Sequence, residues 1–264
     1  MTPTIALTTD FGSGSSYVAQ MKGVLLSSLP EARMVDVSHD VPPQSIREAA
    51  LLLRGVAFAF PLGTVHVVVI DPGVGSERRG IAVQSGGMFF VGPDNGVLGA
   101  ALSRPDAQCV HLDKAAFFRQ PVSPTFHGRD IFAPVAAELA AGLPLQQVGS
   151  PLSAPLTSNL PDPTCEGDTI SGEVLGADRF GNLLTNLPGT LVHQGHPLNL
   201  GRRVLPWVTT YAEAPEKTLV ALIGSDGYVE VAIRDGSALK RCGQSVIGKP
   251  LKGHWTAKEH EHRG

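Results

Sequence analysis

The sequence predicts a two-part α/β protein, an N-terminal mainly parallel α/β sandwich domain followed by a smaller C-terminal all-β, barrel-like domain. Three observations carry this. The first 140 residues alternate apolar strand-like runs with helix-period segments, and such alternation builds βαβ units around a largely parallel sheet. Leu143 to Asp168 then holds five prolines in 26 residues without periodicity, as a connecting segment does. Beyond it, short β-like runs recur at turn-rich spacing, the pattern of a small sandwich or barrel. The expected divisions are 1–145 for the α/β domain, 146–168 for a Pro-rich linker, 169–251 for the β domain and 252–264 for a polar, frayed tail.

Taken in order, Ile5 to Thr9 reads as a strand and Tyr17 to Leu29 as an amphipathic helix. Met34 to Val37 is a second strand and Ile46 to Phe58 a second helix. Thr64 to Ile70 is a continuous β-branched run, expected for a strand buried on both faces of a parallel sheet. Ile81 to Val83 and Met88 to Val91, joined by Ser85-Gly86-Gly87, form a hairpin pattern. Asp130 is placed to cap a helix running through Ala141, its carboxylate accepting from first-turn N–H groups. In the second half, strands are expected at Ile170 to Val174, Leu183 to Asn186, Arg203 to Trp207, Leu219 to Ile223, Tyr228 to Ile233 and Ser245 to Ile247.

Composition narrows the function. The chain has 264 residues, 42% of them hydrophobic and 17% charged, which suits a compact soluble enzyme and argues against disorder. A net charge of −3 without a basic run gives no surface for nucleic acid. No apolar run approaches membrane-spanning length, and the start Met1-Thr-Pro-Thr-Ile5 lacks the basic and apolar regions of a secretory leader, so a cytoplasmic protein is expected. Cys109, Cys165 and Cys242 are far apart and without metal-type spacing, and read as reduced thiols.

Three polar strings hang on these strands: Thr8-Thr-Asp10-Phe-Gly12, Asp71-Pro-Gly-Val-Gly-Ser-Glu-Arg78 and Thr125-Phe126-His127-Gly128-Arg-Asp130. In open α/β sheets ligands bind beyond the carboxyl ends of strands, where Asp10 and Asp71 both fall. Asp10 can accept from a vicinal diol with two oxygens, or it caps the following helix as a turn residue. Asp71 and Arg78 bracket a Gly-rich turn that brings them to one point, either as site residues or as a structural ion pair. His127 precedes Gly128, whose missing side chain leaves room for a ligand. Asp178-Arg-Phe180-Gly-Asn182 and Gly224-Ser225-Asp226-Gly-Tyr228 are turn-like strings in the second domain. Tyr211 and Phe180 are its aromatics available for stacking.

Together with Val91-Gly-Pro-Asp-Asn-Gly96, these strings occur in the order found in the S-adenosylmethionine hydroxide adenosyltransferase family, and the chain resembles it nearly end to end. That family is related to the nucleophilic fluorinase and chlorinase. The resemblance implies hydrolysis of S-adenosyl-L-methionine to adenosine and L-methionine, with Asp71, Arg78 and His127 catalytic and Asp10 on the ribose diol. It further implies substrate contacts from Tyr17, Phe126, Gly128, Phe180, Tyr211 and Asp226, with Asn182 on the adenine edge, Asp178 on the methionine ammonium and Ser225 near its carboxylate. It implies no cofactor and no metal, and a homotrimer whose sites lie at subunit interfaces. In the halogenating relatives the Asp71 position is tyrosine and the His127 position is not histidine, so this chain resembles the water user. Two positions depart from the family pattern: Ser15 stands where an acidic residue is common, and Gln44 where an aromatic is common.

Three rival readings remain. The first is a S-adenosylmethionine-dependent halogenase. A second is a metal-dependent hydrolase using Asp10, Asp36, His39, Asp40, His127 and Asp130, although no His-x-x-x-His or Asp-x-Asp pattern is present. The third is a nucleoside-binding regulator without catalysis.

Overall fold

The computed structural model describes residues 2–157 and 160–255, which divide into two compact units meeting between Asn159 and Leu160. In the first unit, β1 (Thr4–Thr9), α1 (Ser16–Ser28), β2 (Arg33–Ser38), α2 (Ile46–Val56) and β3 (Val65–Val69) alternate as read from periodicity. Then come β4 (Gly80–Ser85), β5 (Met88–Pro93), α3 (Gly99–Leu102), β6 (Gln108–His111), α4 (Ala133–Ala140) and β7 (Ser150–Pro151).

These strands form one seven-stranded sheet in the order β2-β1-β3-β5-β4-β6-β7. The sheet is mixed. β2, β1, β3 and β5 pair in parallel, whereas β4 is antiparallel to both β5 and β6, and β7 is antiparallel to β6. The β4–β5 hairpin turns on Gly86 and Gly87, both at positive φ, where a glycine carries no steric penalty.

Both faces of the sheet are covered. On one, α1 and α4 supply Met21, Leu25, Val135 and Leu139 against Ile5, Leu7, Val67 and Val69. On the other, α2 supplies Ala49 and Leu53 against Val68, Ile70 and Phe90. Every residue of β3 is buried, four valines and His66, as a strand covered on both faces requires. Each of the valines contributes roughly 1.5–3 kcal/mol through removal from water.

The second unit holds β8 (Thr164–Glu166), β9 (Thr169–Ala177), β10 (Leu183–Pro188), β11 (Leu198–Leu200), β12 (Arg203–Leu205), β13 (Leu219–Ile223), β14 (Tyr228–Ile233), α5 (Ala238–Cys242) and β15 (Pro250–His254). Its antiparallel sheet runs β12-β11-β15-β9-β10-β14-β13, with β8 also on β9. A bridge from Trp207, just past β12, to Ala221 on β13 brings the two ends of that order together, so the sheet is nearly closed into a barrel around Ile170, Leu183, Val229 and Val231.

Several expectations change. Ser245 to Ile247 is not a strand but lies on a 3₁₀ turn, Gln244–Val246, bracketed by Gly243 and Gly248 at positive φ. β11 and α5 carry no strong pattern, and Lys252 to His254, expected in a polar tail, pair with β9 in β15. The remainder of that tail, 256–264, lies outside the described residues. The proline-rich segment supplies an edge strand to each sheet, β7 on β6 and β8 on β9. Asp130 does not cap α4: it sits inside a π-helical turn, Gly128–Phe132, and α4 begins at Ala133.

Candidate active site

Parallel pairing sets the position of the site. Thr8 of β1 lies opposite Ser38 of β2, and Thr9 opposite Val69 of β3, so all three strands release their following loops at one edge. Asp10 leaves directly after Thr9, and Asp71 two residues after Val69. With the 123–128 loop they line a cleft of about 260 Å³ that includes Asp10, Gln44, Asp71, Phe126, His127 and Gly128.

Arg78 is held from two sides. Its Nε and Nη2 donate to Asp71 Oδ1 and Oδ2 at 3.0 and 2.6 Å, a bidentate pair, and Nη2 also lies 3.0 Å from His127 Nδ1. A guanidinium only donates, so Nδ1 accepts and the proton of neutral His127 resides on Nε2. The guanidinium carbon stands 5.5 Å from the centre of the buried Phe132 ring. Burial pushes the Asp71 carboxyl up against the opposing pull of Arg78, His127 and the Gly73 N–H. Burial likewise pushes the His127 imidazole down, helped by the Arg78 cation. Both shifts follow from closing polar groups in a dry cluster. Gly75, at φ +78°, lets the Asp71–Arg78 turn touch the other loop, because a Cβ there would collide with the Pro124 carbonyl oxygen.

Asp10 is tied to the neighbouring loop: its Oδ2 accepts the Gln44 N–H at 2.7 Å, with Gln44 itself at φ +64°. The Gln44 departure thus concerns a residue acting through its backbone. The other departure, Ser15, is the N-cap of α1, its Oγ accepting the Tyr17 N–H at 3.2 Å. Tyr17, Phe11 and Phe126 form an aromatic cluster with ring centres 5.1–5.8 Å apart, and Tyr17 is 53% exposed. Gly128 lines the cleft, but the room left by its missing side chain is taken by Val69 and Met21, which a Cβ would meet at 3.2 and 3.3 Å. Asp130 is fully buried and accepts from Arg129, Arg119 and the Ser123 N–H, which anchors the start of the loop that ends in His127.

In the second unit, Asp178 closes its own turn: its two oxygens accept from the N–H and side-chain amide of Asn182 at 2.8 and 2.9 Å. Phe180 on that turn is 79% exposed. Ser225 is exposed on the tight β13–β14 turn, where Asp226 Oδ1 accepts the Tyr228 N–H at 3.1 Å. The Tyr211 hydroxyl donates to Glu230 at 2.8 Å. Burial pushes the Glu230 carboxyl up, with the charges of Asp226 and Asp178 adding to it, and burial beside Glu230 pushes the Tyr211 hydroxyl up as well.

The S-adenosylmethionine hydroxide adenosyltransferase N-terminal domain matches residues 5–149, and the C-terminal domain of the same name matches residues 172–247. The chain belongs to this family. It is 40% identical over 243 residues to the (R)-S-adenosyl-L-methionine hydrolase of Salinispora arenicola, covering 90% of this chain and 92% of that one. With the hydrolase of the same name from Thermus thermophilus it shares 41% over 251 residues, covering 92% and 96%. A fluorinase from Actinoplanes sp. is more distant, 29% identical over 269 residues, with 87% and 90% covered. Among solved structures, an uncharacterized conserved protein from Thermotoga maritima superposes with a TM-score of 0.83 at 32% identity, covering 94% of this chain and 98% of that one.

Within this family frame the expected residues fall into two groups. Asp10, Tyr17, Asp71, Arg78, Phe126, His127 and Gly128 gather on the first unit, and Asp178, Phe180, Asn182, Tyr211, Ser225 and Asp226 belong to the second. Glu230 escaped the sequence reading, although a carboxylate between Val229 and Val231 in an otherwise apolar strand was its signal. Of the ligand set of a metal hydrolase, Asp36 and His39 lie against each other, while Asp36 also pairs with Lys22, Asp40 with Ser13 and Asp130 with two arginines. Among the described residues no three His, Cys, Asp or Glu side chains gather as a set able to hold a metal ion.

Proposed function

We propose that this protein hydrolyses S-adenosyl-L-methionine to adenosine and L-methionine by attack of water on the ribose 5′ carbon. The observation that carries it is Arg78 clamped between Asp71 and His127, two residues that line the cleft with Asp10. The names of the more similar relatives support the same reaction. Methionine leaves from a sulfonium as a neutral thioether, so the leaving group needs no proton; the difficulty is the nucleophile. As the O–C5′ bond forms, the C5′–S electron pair passes to sulfur and one water proton must depart. Asp71, made more basic by burial, accepts it. The Arg78 cation stabilises the developing hydroxide, and the Nε2–H of neutral His127 donates to its oxygen. The Asp10 carboxylate holds the ribose diol, Phe126 and Tyr17 cover the sugar side, and Gly128 lies under it.

On this reading Asn182 meets adenine, Phe180 or Tyr211 stacks on it, Asp178 and Asp226 face the methionine ammonium, and Ser225 its carboxylate. These groups belong to the second unit, and their joining to the first in a homotrimer follows from the family resemblance. The reaction requires no cofactor or metal. The three unbridged cysteines support a cytoplasmic setting.

One experiment tests the reaction: the protein is incubated with S-adenosylmethionine, chloride and fluoride in ¹⁸O-water, with and without EDTA, and the nucleosides are separated. The expected product is ¹⁸O-labelled adenosine at a rate indifferent to EDTA. A 5′-halo-adenosine as main product would replace this reading by the halogenase one, and loss of activity in EDTA restored by a divalent ion would favour the metal hydrolase.

A further inference from the structure

The two loops that frame Asp10 are zipped together by a chain of hydrogen bonds in which His39 is the central link. From the ring, Nε2 lies 3.0 Å from Asp36 Oδ1, and Asp36 Oδ2 accepts from Lys22 of α1 at 2.6 Å. The Asp36 carboxylate beside Nε2, close but not aligned as a hydrogen bond, favours the ring proton on that side and leaves Nδ1, 2.9 Å from Thr9 Oγ1, to accept. Thr9 Oγ1 in turn accepts the Phe11 N–H at 3.3 Å, closing a tight turn around the one residue between them, Asp10. From its backbone, the His39 carbonyl accepts the Gly12 N–H at 2.7 Å. Thr9 is fully buried and His39 is 7% exposed, so this link works away from competing water.

We infer that His39 is a positioning residue: through Thr9 and Gly12 it sets the direction of the Asp10 carboxylate and thereby the affinity of the site for the ribose of its nucleoside ligand. The inference rests on the proposed role of Asp10. His39 touches neither the Asp71–Arg78–His127 cluster nor the cleft lining, so it acts on binding rather than on the attacking water. Losing the Nδ1 acceptor leaves the buried Thr9 hydroxyl without its partner and frees the turn to rotate.

The test uses the full-length protein and adenosine as probe, with Kd by calorimetry and KM and kcat for S-adenosylmethionine. His39→Ala and Thr9→Val, the latter nearly isosteric, are each expected to raise Kd and KM roughly tenfold while kcat changes less than about twofold. His39→Asn, which returns an acceptor near the Nδ1 position, is expected to recover most of the affinity. Should His39→Ala not fold, Thr9→Val decides alone. Unchanged Kd in Thr9→Val, or a fall in kcat at constant KM, overturns the inference. Wild-type protein that neither binds adenosine nor consumes S-adenosylmethionine overturns the function reading and this inference with it. Wild-type activity that Thr9→Val leaves intact in every parameter overturns the positioning role alone.

Discussion

At the level of single residues, the Asp71–Arg78–His127 cluster makes a prediction about pH. Its titrating members are Asp71 and His127. Asp71 is raised from 3.8 and must be ionised to take a proton; His127 is lowered from 6.5 and must be neutral to accept from Arg78. Both requirements fail on acidification, with the Asp71 transition above 3.8 and the His127 transition below 6.5. The kcat profile is therefore expected to rise with pH from the acid side and then level off; a fall in kcat on going from pH 5 to 7 would contradict the assignment. Asp71→Asn or His127→Ala should lower kcat by roughly two to four orders of magnitude with KM little changed. Asp10→Ala, in contrast, should weaken adenosine binding by roughly 2–4 kcal/mol, and unchanged calorimetric affinity would remove Asp10 from the ribose.

Elements decide whether those residues meet. Gly75 is the contact point between the turn that carries Arg78 and the loop that carries His127, and it combines a positive φ with the absence of space for a Cβ. Gly75→Ala is expected to lower stability by roughly 1–3 kcal/mol and, by pushing the loops apart, to depress kcat more than any loss of folded protein explains. Thermal melting with activity per folded molecule checks it; a variant as active as wild type would show that the approach of the loops is incidental. The π-helical turn at Gly128–Phe132 illustrates how an element can mislead when read from sequence. An Asp before an apolar helix reads as a cap, but the fully buried Asp130 is spent instead on two guanidiniums and the Ser123 N–H, partners 1 to 11 residues away. Ser15, by comparison, caps α1 through a contact two residues away and needs no such tertiary partner.

For the molecule as a whole, stability and assembly are the tests. His66 is fully buried on β3, flat against Phe90 at 4.9 Å and edge-on to Phe60, and burial pushes its imidazole down to about 4 despite the Ala57 carbonyl. The unfolded chain binds a proton near 6.5 that the folded core refuses, so this residue costs nothing above that pH and destabilises increasingly between 6.5 and 4. His66→Phe should therefore gain on wild type by up to about 3 kcal/mol at pH 4 relative to pH 7.5, measured by denaturant midpoints; a pH-independent difference would show that the imidazole is not excluded from protonation. If the second unit of a neighbouring subunit completes each site, the protein should sediment as a trimer, and the segment 1–145 alone should neither turn over nor bind adenosine tightly. Full activity in a monomeric fragment would refute the shared site.

What could be read from the chain is what is written locally. The β-branched β3 run, the polar strings at strand ends, the Gly86-Gly87 hairpin and the family order of motifs depend on periodicity and turn chemistry within a few residues, and they single out Asp10, Asp71 and His127 as candidates. Which strands pair, and with what register, is decided by burial over long separations. That is why the first sheet is mixed, why weakly patterned segments such as Leu198–Leu200 and Pro250–His254 become strands, and why 245–247 does not. The same reason holds at the site. Parallel register of β1, β2 and β3 is what delivers Asp10, His39 and Asp71 to one edge, and a guanidinium shared between Asp71 and His127, 56 residues apart, exists only because the core places their loops within hydrogen-bonding distance.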